Sequence, residues 1–162
     1  MEDNLKKLKL KVSIAKFLTF HKNRVSLLKE LLQKKVHGRL IFQVSFLGFE
    51  SLGKVLYPKE ENSKKRFLDA LKVINVDDAI ILHKYWRNPL THEGFVSGIW
   101  TSLETWGDDD LSFASFIDDS DTNKIRGGVE YPPGSILAMY EGLIRCSENY
   151  FKEREIKEVV IE

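Results

Sequence analysis

Apolar residues recur at helical spacing along most of this chain. Leu5, Leu8, Val12, Ala15 and Leu18 step by three or four, and Val25, Leu28, Leu31 and Leu32 continue the row. The pattern predicts one long helix, or two with a break near His21 to Asn23. From Leu40 to Leu56 almost every position is apolar: Leu40, Ile41, Phe42, Val44, Phe46, Leu47, Phe49, Leu52 and Val55. A helix apolar nearly all round belongs in the middle of a bundle. Gly48 and Gly53 would let a neighbour approach it closely, and Pro58 ends it. Glu61 to Val73 reads as a shorter helix with Phe67, Leu68 and Leu71 on its apolar side. Asp77 and Asp78 open another, through Ala79, Ile80, Ile81, Leu82 and Tyr85, since acids suit a helix N-terminus. The last long helix is expected after Pro132-Pro133-Gly134, capped by Ser135. Its stripe is Ile136, Tyr140, Leu143, Ile144, Ser147 and Phe151. The charged tail beyond Lys152 is expected to fray.

Residues 98–131 break the helical pattern. Trp100, Thr101, Ser102, Leu103 and Thr105 have strand-like composition; Leu111, Phe113 and Phe116 follow after Gly107 and three Asp. A hairpin fits these runs. Asp119, Asp121, Asn123 and Glu130 fall at positions one, three, five and twelve of a calcium loop. Lys124 replaces the required glycine, and Tyr131-Pro132-Pro133 blocks an immediate exit helix, so a polar surface loop is the ordinary reading. The expected fold is mainly α: one domain over 1–162, a bundle of four to five helices with a small irregular or β insertion after His92.

Hydrophobic content of 43% and charged content of 30% are ordinary for a globular protein. No run approaches the roughly 20 apolar residues of a membrane span. The start of the chain lacks an apolar signal core, so a cytoplasmic setting is expected. The single Cys146 excludes an internal disulfide and any cysteine metal cluster. The net charge of +1 hides an asymmetry. Residues 1–40 hold 11 Lys and Arg against 3 acids, whereas 101–162 hold 6 against 14. Three readings stay open: a basic surface for nucleic acid, opposite charges meeting within the fold or across a dimer, or two solvated helix faces. Lys6, Lys9 and Lys16, within one helix-length, are the candidate RNA-binding cations.

The candidate chemistry lies in Tyr85-Trp86-Arg87-Asn88-Pro89-Leu90-Thr91-His92-Glu93-Gly94. Arg87 is followed at once by Asn88, and four residues separate it from His92. No other arginine has a histidine four to six residues beyond it. An imidazole takes a proton near neutral pH. A guanidinium holds charge on phosphoryl oxygens, and a carboxamide can orient either group. Asn88-Pro89 also reads as a helix cap and first residue, where free N–H groups favour an anion.

This stretch resembles the signature of the HEPN superfamily (higher eukaryotes and prokaryotes nucleotide-binding domain): an Arg, usually a polar residue next, then His after four to six intervening residues. The resemblance implies a dimeric, all-helical endoribonuclease, often a toxin or conflict-system nuclease with an antitoxin or other protein partner. It implies no cofactor and no metal. Arg87, Asn88 and His92 would be catalytic, with Glu50 and Tyr85 as supporting residues and the site completed across a homodimer. Each residue also has a plain reading. Arg87 can be a helix C-terminal charge, His92 a turn residue, and Glu50 the exposed edge of its helix. The alternative function is a non-catalytic helical module for dimerisation or protein binding. His21, His37 and His83 show no ligand spacing and read as surface or packing residues.

Overall fold

The computed structural model describes residues 10–35, 38–76, 79–87, 113–117, 125–130 and 133–161; the side chains of Arg39, Ile81, Tyr85, Trp86 and of both strands within 113–130 lie outside that description. The expected asparagine cap at Asn88, the acidic start at Asp77 and Asp78, and Trp100 to Thr105 therefore fall outside it.

The molecule is mainly helical. Strand β1 (Leu10–Ser13) leads into α1 (Ile14–Gln33), α2 (Gly38–Leu56) and α3 (Ser63–Val73). A short α4 (Ala79–Ile81) widens into a π-helical turn, Leu82–Arg87. Strands β2 (Phe113–Ile117) and β3 (Ile125–Glu130) form an antiparallel hairpin with a register irregularity at Phe116/Ile117. Helix α5 (Pro133–Glu153) and strand β4 (Glu158–Ile161) complete the described chain.

Helical periodicity is expected to reach back to Leu5, but Leu10–Ser13 is a strand. It pairs antiparallel with β4, from Leu10↔Ile161 to Ser13↔Glu158. Val159, Val160 and Ile161 favour the extended state, and Val159 is buried beneath the pair. The tail expected to fray is thus half of a two-stranded sheet. Ser13 starts α1 by accepting a hydrogen bond from the Lys16 N–H at 3.3 Å. No break follows at His21 to Asn23: Phe17, Leu18, His21, Val25 and Leu28 make one buried row.

Helix α2 is the centre, packing on α1, α3 and α5. Ile41, Phe42, Phe46, Phe49, Leu52 and Leu56 are buried, yet Leu40 and Leu47 stay exposed, so the helix is not enclosed all round. Helix α3 begins at Ser63, two residues later than its expected start, because the Asn62 side chain accepts from the Lys65 N–H at 3.0 Å. Phe67, Ala70 and Leu71 then face α2 and complete the core on that side. Helix α5 begins at Pro133 itself, so Ser135 lies inside the first turn and does not cap. Proline lacks an N–H that a first-turn residue would leave unpaired anyway. Helices α3 and α5 end the same way. Asn75 (φ 57°) and Glu155 (φ 53°) take the left-handed conformation. The next N–H then reaches back five residues, Val76 to Leu71 O and Ile156 to Phe151 O.

Phe46, Phe49, Phe67 and Tyr140 fill the centre, with ring centroids 5.8–6.0 Å apart. Such pairs contribute about 0.5–1.5 kcal/mol each beyond burial. The Tyr140 ring lies directly over Gly48: a Cβ there would sit 2.2 Å from Cζ. Gly48→Ala sets about 1 kcal/mol of helix propensity against overpacking of a fully buried ring, which costs about 1–3 kcal/mol. Overpacking wins because Tyr140 is hydrogen-bonded in place and cannot swing aside. The expected outcome is a cooperative thermal transition lowered by roughly 3–6 °C; an unchanged or raised midpoint in calorimetry contradicts the close packing.

Candidate functional site

The π-helical turn governs where Arg87 points. An α-helical turn would set Arg87 over the gap between His83 and exposed Lys84. The wider i→i+5 winding sets it over Leu82 and His83, both buried. From there the guanidinium reaches α2. Nε donates to Oε1 of Glu50 at 2.5 Å, and Nη2 pairs with the same oxygen. Both side chains are largely buried, 14% exposed for Arg87 and 23% for Glu50. Glu50, open to reading as a support of the motif or as the exposed edge of its helix, thus pairs with Arg87 and is mostly covered. His83 lies edge-on to Phe67, centroids 5.2 Å apart. Burial, then the Arg87 and Lys64 charges, lower its pKa to about 4. Its imidazole is therefore neutral near pH 7.

A second polar group joins α1, α2 and α5. His21 is fully buried; its Nδ1 lies 2.5 Å from the Tyr140 hydroxyl and its Nε2 lies 3.4 Å from Ser51 Oγ. Burial, then the Arg24 charge, lowers the His21 pKa to about 4. Burial raises that of Tyr140, opposed by the nearby Arg24 side chain. The phenol thus keeps its proton and donates to Nδ1, which leaves the proton on Nε2 to face Ser51. The contacts run from Tyr140 to His21 to Ser51. The sequence carries a signal for it, since His21 falls on the row Phe17, Val25, Leu28 as an imidazole in an apolar stripe.

The structure therefore brings Arg87 and Glu50 together. Asn88 and His92 lie outside the described residues, as do Lys6 and Lys9. Tyr85 lies within the π turn, its side chain outside the description. Lys16 is exposed in the first turn of α1. The charge asymmetry meets in part within the fold: Lys22 pairs with Glu148 at 3.1 Å and Lys29 with Glu141 at 2.9 Å. Glu130 ends strand β3, so position twelve of the calcium-like loop does not open a helix; the other three positions lie outside the description. Cys146 is half-buried. No protein-family model matches this chain, and no curated protein or solved structure matches it. The HEPN resemblance thus rests on the motif alone.

The two buried histidines fix the sign of the acid response. An unfolded imidazole takes its proton near pH 6.5, and these two only near pH 4. Between those values the unfolded chain binds more protons, so stability falls as pH falls, by up to about 1.4 kcal/mol per pH unit for each histidine. Denaturant midpoints should drop steadily from pH 6.5 to 4. His83→Phe, which keeps the edge contact with Phe67, should remove about half of that slope. A slope that stays whole in the variant would mean that His83 is already protonated in the fold.

Proposed function

We propose that the chain is a metal-independent endoribonuclease of HEPN type. The observation that carries this reading is Arg87: the first residue of the Arg-Asn-x3-His motif is a guanidinium held in fixed orientation by the Glu50 carboxylate. In that mechanism His92 removes the proton of a ribose 2′-OH. The 2′-oxygen attacks phosphorus, the bond to the 5′-oxygen breaks, and the leaving oxygen takes up a proton. The products are a 2′,3′-cyclic phosphate and a 5′-hydroxyl. Arg87 stabilises the charge on the equatorial oxygens, Asn88 orients Arg87 or His92, and Tyr85 supports the motif. Glu50 holds the guanidinium in place through its Nε and Nη2. Two copies of the motif meeting across a homodimer complete the site, and an antitoxin or other partner covers it when silent. A cytoplasmic location fits cleavage of cellular RNA.

The Arg87–Glu50 pair also favours a second reading, a non-catalytic helical module in which the two residues tie the π turn to α2. RNA cleavage separates the readings. With the purified protein in EDTA, His92→Ala and Arg87→Ala should each lower cleavage at least a hundredfold. Arg87→Lys should also be poor, since an ammonium lacks the planar fork. Glu50→Gln should retain folding and lose roughly tenfold. Cleavage untouched by His92→Ala would sink the nuclease reading. If Glu50→Ala and Arg87→Ala instead each lower stability, with a double variant no worse than either single one, the pair is a structural tie. Light scattering adds a check on the composite site: a mass of about 38 kDa is expected, twice the 18.8 kDa of the chain.

A further inference from the structure

Helix α1 presents two different charged faces. Toward α5, Lys22 and Lys29 are neutralised by Glu148 and Glu141. On the outward face, Lys16 enters no ion pair among the described residues. One turn further on, the Phe20 ring is 51% exposed although the core lies directly behind it. The Arg24 guanidinium lies over that ring, 4.2 Å from its centroid. A shallow hollow of about 410 Å³ borders the ring, lined by Ala15, Lys16, Thr19, Phe20 and Asn23. An exposed aromatic ring, a guanidinium stacked on it and a cation at hand are what a base with its phosphate needs.

We infer that Phe20, Arg24 and Lys16 form a stacking site for an unpaired base of single-stranded RNA. The inference rests on the ribonuclease reading for the identity of the nucleic acid. The base extends the Phe20–Arg24 stack from the hollow, and Lys16 takes the adjoining phosphate. Asn23, carrying both a donor and an acceptor, meets the base edge without selecting one base. A paired base hides its faces, so duplex RNA has no access to this site. The site lies at the level of Arg87 along the bundle. His21, next to Phe20, reaches Ser51, and the neighbouring Glu50 holds Arg87.

The test is fluorescence anisotropy with a labelled single-stranded oligodeoxynucleotide of about 12 nucleotides, which lacks the 2′-OH needed for cleavage. Phe20→Leu keeps an apolar side chain but removes the ring. It should weaken binding about tenfold and leave the salt dependence unchanged. Phe20→Trp should restore binding. Lys16→Ala should also weaken binding and flatten the slope of log affinity against log salt by about 0.7. The same sequence as a duplex should bind more weakly and ignore Phe20→Leu. Absence of single-strand binding by the wild-type chain, or full affinity in Phe20→Leu, overturns the site; full affinity would assign the exposed ring to a protein surface instead. The two proposals fail separately. Cleavage that depends on His92 beside binding indifferent to Phe20 removes only the stacking site. Binding that depends on Phe20 beside cleavage indifferent to His92 removes only the nuclease.

Discussion

The Tyr140 ring occupies space that only a glycine at position 48 leaves open. That close approach sets how α5 meets α2, and much else follows from it. With the ring seated, its hydroxyl reaches His21 on α1, whose other ring nitrogen faces Ser51 on α2, so three helices meet at one imidazole. The ring meets Phe49 nearly at right angles, and Phe49 in turn packs on Phe67 of α3. A phenylalanine at 140 could fill the same space but would leave the His21 nitrogen without a donor, in a region where an unpaired buried polar group costs about 1–3 kcal/mol. The contact therefore joins shape and polarity: the glycine supplies room, and the hydroxyl specifies which residue uses it.

The fold was legible where burial and periodicity agree. Helices α2, α3 and α5 follow from their apolar rows because each buries that row. Legibility failed where a short segment finds a distant partner. Leu8, Val12 and Ala15 keep helical spacing, yet Val12 pairs with Val159, far along the chain. Nothing local announces that pairing, and strand formation depends on the partner strand more than on propensity. The hairpin within 98–131 exists, but Phe113–Ile117 is its first strand and Ile125–Glu130 its second. Gly127 and Gly128 made the second strand illegible, because glycine weakens strand composition and marks irregularity.

The candidate site was legible in a different way. The motif singled out Arg87 from residue chemistry, and Glu50 stood out as the one acid in an apolar helix. What joined them was not visible. A regular α-helix through Leu82–Arg87 would direct the guanidinium toward the side of exposed Lys84. Only the π winding turns it over the buried row and toward α2. Such widened turns are costly to keep and cluster at functional positions. Histidines 21 and 83 show the limit from the other side. Both read as surface or packing residues, and both are buried; neither spacing nor composition told that one of them is hydrogen-bonded at both ring nitrogens.

Arg87 and Glu50 carry an electrostatic consequence for any anion that approaches them. A guanidinium this far from solvent needs a counter-charge, and Glu50 supplies it, which leaves the pair near neutral to distant ions. Long-range attraction of a polyanion must then come from elsewhere, and on the described surface the outward cations of α1 are suited to it. At short range the directional hydrogen bonds of a guanidinium matter more to a phosphate than net charge does. For such a polyanion, capture and orientation would fall to two different parts of the molecule. Exposed cations on α1 respond to salt more strongly than the partly buried pair does, because screening acts most on solvent-exposed charges. Salt should therefore act more on the encounter with a polyanion than on the alignment at Arg87.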